Sequence, residues 1–291
     1  ADEWLKFGNP WEIVQPEKAV PVRFYGRVEH HQGADGKSVA RWVGAKTVIG
    51  VPYDTPIAGY GNNTVNTLRL WQARASEEFD LKLFNAGDYE RSVVEKNDSE
   101  VISKVLYPND AFQAGKELRL KQQYFFVACS IADIVRRYLK THSDFREFPN
   151  KAAIQLNDTH PAIAVAELIR VLVDEKHLPW DEAAAITQAT FGYTNHTLLA
   201  EAMEKWPASL FERLLPRHLE IIFEINAGFL KHVSEQSGHD GEMIRRISLV
   251  DEYGQRRVRM AYLAIVASHK VNGVSKLHSQ LMTRDIFADF A

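Results

Sequence analysis

At 291 residues the chain can bury a large core, and 45% hydrophobic with 25% charged residues is the balance of an ordinary soluble globular protein. A net charge of −3 and a pI near 6.4 give no general attraction to nucleic acid or acidic membranes. No apolar run reaches the roughly eighteen residues of a membrane span, so neither nucleic acid nor membrane is expected as a partner.

The first part, 1–87, reads as β-rich. Residues 20–31 alternate, with Val22, Phe24 and Val28 against Arg23, Arg27 and Glu29, as a strand does. Gly33, Asp35 and Gly36 signal a turn, and 39–51 resumes with Trp42, Val43, Val48 and Ile49, so one hairpin of two long strands is predicted. Gly33-Ala34-Asp35-Gly36 is no phosphate loop, because it lies in a hairpin rather than before a helix. Pro52, Pro56, Gly59 and Gly61 break the chain before a further strand at 64–75. The start, Ala1-Asp2-Glu3-Trp4, is neither a signal peptide nor a native initiation site. Asn62-Asn63-Thr64 and Asn195-His196-Thr197 match the glycosylation pattern but are discounted without a secretory signal.

Residues 88–140 turn helical. A helix at 89–106 places Val93, Val94, Val101, Ile102 and Val105 among many charges, a narrow apolar stripe that needs a partner. Tyr107-Pro108-Asn109-Asp110 interrupts it, and on conformational grounds alone reads as a turn. A long helix at 115–140 follows, with a favourably oriented Glu117–Lys121 pair. Cys129 lies in its apolar pattern and reads as a buried thiol rather than a nucleophile. As the single cysteine it excludes an internal disulfide and a thiolate metal cluster, and it fits a cytoplasmic setting. Arg136 and Arg137 lie on the polar side and read, on sequence grounds, as a solvated basic face.

From 141 to 291 strand and helix alternate. Residues 152–156 run into Asn157-Asp158-Thr159-His160-Pro161, and 190–194 into Asn195-His196-Thr197; each cluster precedes a helical pattern. In an open α/β sheet, ligands bind at the carboxyl ends of parallel strands, so these two histidine-bearing ends are candidates for one shared site. Asp158 or Thr159 is expected to cap a helix reaching about Val173 with Pro161 in its first turn, and Asp181 to cap the next. Further helices are predicted at 198–205, 207–233 with a junction at Pro216, and 271–282. The last residues, 286–291, end without a capping signal, so the chain reads as a piece of a longer one. His196 is either a ligand contact or a histidine satisfying a buried strand end. Asp158, His160 and His196 are also conceivable zinc ligands, but no further ligand falls at convincing spacing, and no metal is expected.

The chain resembles the glycogen/starch (α-glucan) phosphorylases over essentially its whole length and in the expected order. The resemblance rests on Tyr107-Pro-Asn-Asp110, Gly115-Lys-Glu-Leu-Arg-Leu-Lys-Gln-Gln-Tyr124, Ala153-Ile-Gln-Leu-Asn-Asp-Thr-His-Pro161 and Tyr193-Thr-Asn-His-Thr197. Leu215-Pro-Arg-His-Leu219, Ser268-His-Lys-Val-Asn-Gly273, Phe24-Tyr-Gly26, Pro52-Tyr-Asp54 and Asn66-Thr-Leu-Arg-Leu-Trp71 extend it. It implies an α/β fold, a Rossmann-like sheet with a β-rich excursion, forming part of the N-terminal half of a two-domain GT-B glycosyltransferase. The implied activity is phosphorolysis of α-1,4-glucan by inorganic phosphate to glucose 1-phosphate.

The same resemblance implies pyridoxal 5′-phosphate on a lysine of a C-terminal domain whose segment matches nothing here, so the fragment alone is expected to be inactive and to form one wall of a cleft. It implies sugar contacts for His196 and Thr197, with Asp158 and His160 supporting them. Asn109 and Asp110 occupy the family's mobile gating loop, where Ala111 replaces an asparagine that contacts a sugar hydroxyl. Arg136 and Arg137 match a nucleotide-effector pair, and Ser248 and Glu252 match a surface glucan-storage site, although Tyr253 and Gly254 depart from it. The helix at 89–106 is implied to pack on its own symmetry mate in a homodimer. A catalytically silent carbohydrate-binding or interaction module on the same half-domain is the alternative.

Overall fold

The structure, a computed structural model, describes residues 8–33, 36, 38–76, 89–106, 108–237 and 240–290. It is a mixed α/β protein whose chain divides into two compact units, residues 1–24 with 46–133 and residues 25–45 with 134–291. Among the described residues no helix is long and apolar enough to cross a membrane.

Six strands come first: β1 Ile13–Val14, β2 Val20–Phe24, β3 Arg27–Gln32, β4 Ser38–Val43, β5 Lys46–Ala58 and β6 Val65–Ala75. The sequence predicts a single hairpin of two long arms; instead each arm is cut in two. The pairing offset is the same in both pieces, Val20↔Gly50 to Phe24↔Lys46 and then Arg27↔Val43 to Gln32↔Ser38. The cut is therefore not a slip in register. Tyr25 (φ 64°), Gly26 (φ 78°) and Gly44 (φ 67°) take left-handed conformations there. A Cβ on Gly26 would lie 2.3 Å from the Val43 carbonyl oxygen, so this position requires glycine. Of the turn residues Gly33, Asp35 and Gly36, Asp35 lies outside the described residues.

In the first unit β5 is central. β6 pairs antiparallel along one edge from Val48↔Ala75 to Ala58↔Val65, and β2 and β1 share the other. Helix α1 (Tyr89–Lys104) and the first part of α2 (Gln113–Tyr138) complete it. A Cβ on Gly50 would meet Cys129 Sγ at 2.3 Å and Phe125 at 3.4 Å, so helix and strand approach closely and Cys129, fully buried, is a packing atom. Arg69 joins Asp54 and Asp133 at 2.7 Å each. The predicted Glu117–Lys121 pair forms at 3.3 Å. The α1 stripe does not act as one face: Ile102 is 1% exposed while Val93 and Val94 are 57% and 56% exposed. Gln122 Nε2 donates to the Ile102 and Val105 carbonyls (3.0 and 2.6 Å), tying the end of α1 to α2.

The second unit takes the end of α2 and then α3 Phe148–Lys151, β7 Ile154–Asn157, α4 Ala164–Arg170 with a π-helical turn Val171–Glu175, α5 Trp180–Thr190 and β8 Phe191–Asn195. β9 Lys205–Pro207, α6 Ala208–Leu214, α7 Pro216–Ser237 and α8 Gly241–Ile247 follow. The chain goes on to β10 Val250–Asp251, β11 Arg257–Arg259, α9 Met260–Val266, β12 Lys270–Gly273 and α10 Lys276–Leu281. β12, β8 and β7 form a parallel sheet, and β10, β11 and β9 an antiparallel one.

Four further sequence expectations need correction. Residues 198–205 hold only a 3₁₀ turn, Ala200–Ala202, before β9. Residues 271–282 begin as β12, because pairing to β8 overrides a run too short for local periodicity to classify. The helix after β7 starts at Ala164, not Pro161, with Ile163 at its N-cap. Trp180 opens α5 after Pro179, so Asp181 is a first-turn acid favoured by the helix dipole and not the cap. The junction expected near Pro216 is present at Leu215, between α6 and α7.

Candidate functional site

The parallel pairing of β7 with β8, Ile154↔Phe191 to Asn157↔Thr194, brings the two polar strand ends together. The Asp158 amide donates to the Thr194 carbonyl (3.0 Å) and carries the pairing one step past the strand. Asp158 then turns at φ 69°, and its carboxylate accepts from the Thr159 amide. Aspartate tolerates this left-handed conformation because its side chain bonds locally. It is a turn former here, and the helix it was expected to cap begins only at Ala164. Thr159 is buried, and its hydroxyl donates to Glu204 (3.3 Å); His160 next to it is exposed.

At the end of β8, Asn195 is fully buried and its amide is used on both sides. Nδ2 donates to the Tyr193 hydroxyl (3.1 Å), and Oδ1 accepts from the Thr197 amide (3.1 Å) and lies 3.0 Å from His278 Nε2. Thr197 Oγ1 in turn accepts from the Leu199 amide (3.1 Å). Two successive local turns therefore shape 195–199, and His196 between them points to solvent. Among the described residues the His196 and His160 rings make no hydrogen bond, so both are available to a ligand as donor or acceptor. Burial pushes the Tyr193 phenol up to about 12, opposed by the Asn195 hydrogen bond and aided by the Asp158 charge. It stays neutral near pH 7 and anchors the Asn195 amide as an uncharged partner.

The third strand completes the edge. β12 pairs with β8 from Lys270↔Gly192 to Gly273↔Asn195, and the Thr194 hydroxyl donates to Asn272 Oδ1 (3.2 Å). His278 and Asn272 belong to this constellation although periodicity assigned both to one helix. The signal available was Ser268-His-Lys-Val-Asn-Gly273, whose final glycine marks a close backbone approach.

The remaining candidates lie on other elements. Asn109 and Asp110 belong to the first unit. Asn109 Oδ1 accepts from the Ala111 amide (3.0 Å), and its carbonyl oxygen would lie 1.7 Å from a Cβ on Gly115, so that glycine lets the loop fold onto the start of α2. Asp110 is exposed, 3.9 Å from Arg119; Tyr107 lies outside the described residues. Arg136 is half-buried and Arg137 exposed in the last turn of α2. Ser248 is buried, with its hydroxyl against Asn226 (3.2 Å) and the Val250 amide (3.2 Å), whereas Glu252 is exposed and paired with Arg256 (2.9 Å).

Among the described residues no lysine is buried, so none of these has the enclosed setting that an imine to pyridoxal phosphate requires. No three His, Cys, Asp or Glu side chains among the described residues are placed to hold a metal ion, and Asp158, His160 and His196 do not form a ligand set.

The sequence matches the family model described as carbohydrate phosphorylase over residues 1–291. It is 52% identical over its full length to the liver form of glycogen phosphorylase of Ovis aries, covering 34% of that protein. It is 54% identical over 99% of its length to glycogen phosphorylase of Synechocystis, again covering 34%. Against the muscle form of Oryctolagus cuniculus it is 52% identical over its full length, covering 35%. The chain thus spans about a third of the length of these relatives. With its whole length matched, and with the histidine-bearing strand ends in register, this chain belongs to the carbohydrate phosphorylase family.

Proposed function

We propose that the intact protein is an α-1,4-glucan phosphorylase acting on glycogen or a starch-like glucan with inorganic phosphate. This chain then contributes part of the N-terminal half of a GT-B glycosyltransferase, and β7, β8 and β12 belong to its Rossmann-like sheet. The phosphate donates a proton to the glycosidic oxygen, the bond from that oxygen to the anomeric carbon breaks, and a phosphate oxygen bonds to the same carbon with retention, giving glucose 1-phosphate. The carrying observation is the exposed His196 ring, held between two local turns at the carboxyl end of a parallel strand, with Asp158 and His160 in the turn that follows the neighbouring strand β7. His196 contacts the glucosyl unit, through a ring that can donate to or accept from a sugar hydroxyl. Thr197 lines the same position, and Asp158 and His160 support it.

Pyridoxal phosphate belongs to a part of the protein outside these residues. Asn109 and Asp110 gate substrate entry, and the protein works as a cytoplasmic homodimer through α1. Arg136 and Arg137 suit a nucleotide phosphate, since guanidinium forks match phosphate geometry. At the glucan-storage position Glu252 supplies the exposed contact, and Ser248 shapes the turn from inside.

In the full-length enzyme, His196→Ala should cost roughly 2–4 kcal/mol in kcat/KM for phosphorolysis. The melting temperature should barely move, because the ring is exposed. Near-normal kinetics would remove His196 from the sugar site.

A further inference from the structure

The residue that fixes the His196 turn lies far from it in sequence. His278 sits in α10, where the Ser275 hydroxyl caps its amide (3.1 Å), and its Nε2 reaches Asn195 Oδ1 at 3.0 Å across 83 positions. That oxygen has two donors to satisfy it, the His278 ring and the Thr197 amide, while the other end of the same amide is committed to Tyr193. A flip of this carboxamide would place its NH₂ against the Thr197 amide, which can only donate. The strand end leaves room for the ring: a Cβ on Gly273 would lie 2.5 Å from His278 Cδ2 and 2.9 Å from the Ser279 amide nitrogen. Gly273 also pairs directly with Asn195 across β12 and β8, so the glycine and the histidine address the same residue.

We propose that His278 is a positioning residue for phosphorolysis: as the Nε2–H tautomer it locks the Asn195 amide, and through the Thr197 amide it sets the turn that presents His196. The inference rests on the sugar-contacting role of His196 given above. It defines what the position needs, a single N–H donor at the distance of Nε2 with no charge required. Glutamine can place its Nε2 there; alanine cannot.

The test uses full-length holoenzyme carrying His278→Ala or His278→Gln, with His196→Ala prepared in parallel. His278→Ala should lower kcat for phosphorolysis of glycogen by roughly tenfold with KM little changed, the scale of one lost hydrogen bond at a turn, and His278→Gln should return to within about threefold of wild type. Hydrogen exchange of the peptide spanning 193–199 should quicken in the alanine variant and stay slow in the glutamine variant. Wild-type kinetics in His278→Ala, or equal losses in both variants, would overturn the proposal. If His196→Ala itself keeps full activity, the functional reading fails instead. The exchange pattern then decides alone: quickening confined to alanine upholds the positioning role, and no difference between the variants ends it.

Discussion

Glu167 shows at the residue scale how the second unit carries charge in its core. Its carboxylate is buried, accepts two hydrogen bonds at 2.8 Å from Arg170, and lies 2.6 Å from His218 Nε2. Burial alone would raise this carboxyl, but Arg170 and His218 outweigh it and bring it from 4.5 to about 2. His218 moves down from 6.5, because burial outweighs the attraction of Glu167, so it serves as a neutral donor. In both cases the unfolded chain binds protons that the folded one refuses, and stability rises with pH. The Glu167 contribution is complete above 4.5 and disappears as pH falls toward about 2, while the His218 penalty grows below 6.5. The shift corresponds to about 3 kcal/mol. Glu167→Gln should destabilise by a comparable amount, roughly 3 kcal/mol at pH 7, since Arg170 and His218 lose the buried carboxylate and Arg170 keeps that of the exposed Glu175, at 2.9 Å. Calorimetry of wild type and variant across pH 7 to 3 should show the gap narrowing below 4.5. A constant gap would mean that Glu167 is not ionised against Arg170.

At the scale of elements, α1 separates two roles that its sequence pattern had merged. Ile102 belongs to the core of its own unit, and the Ser103 hydroxyl accepts from the Ala73 amide of β6 at 2.9 Å, so the carboxyl end of the helix is anchored at home. Val93 and Val94, two turns earlier, are uncovered. In the proposed homodimer those two valines carry the seam, and each meets its own copy across the two-fold axis. Val93→Asp with Val94→Asp should then convert full-length dimer to monomer, as like charges face each other in a desolvated contact. Sedimentation gives the answer directly, and an undisturbed dimer would move the interface elsewhere.

For the molecule as a whole, the share of its relatives that the chain spans is the governing fact. The chain spans 34% of its relatives, and no described lysine is buried. The 291-residue piece, supplied with glycogen, phosphate and pyridoxal phosphate, should release no glucose 1-phosphate, because the cofactor's chemistry needs a protein site that orients it. Turnover above a blank would show that these residues alone form a working centre.

Much of this was legible in the sequence because it is local or ordered along the chain. The motifs from Phe24 to Gly273 declared the family, α2 and the junction near Pro216 followed from periodicity and proline, and the polar strand ends at Asp158 and His196 followed from apolar runs that stop abruptly. The break between β2 and β3 at Gly26 was not legible, since the need for glycine there comes from the Val43 carbonyl on the opposite arm, 2.3 Å from where a Cβ would lie. Nor was β12, whose four residues become a strand only by pairing with β8. The links from Asn195 to His278 and from Glu167 to His218 span 83 and 51 positions. Such contacts form only after folding has met the entropy of closing those loops, and no window of neighbouring residues encodes them.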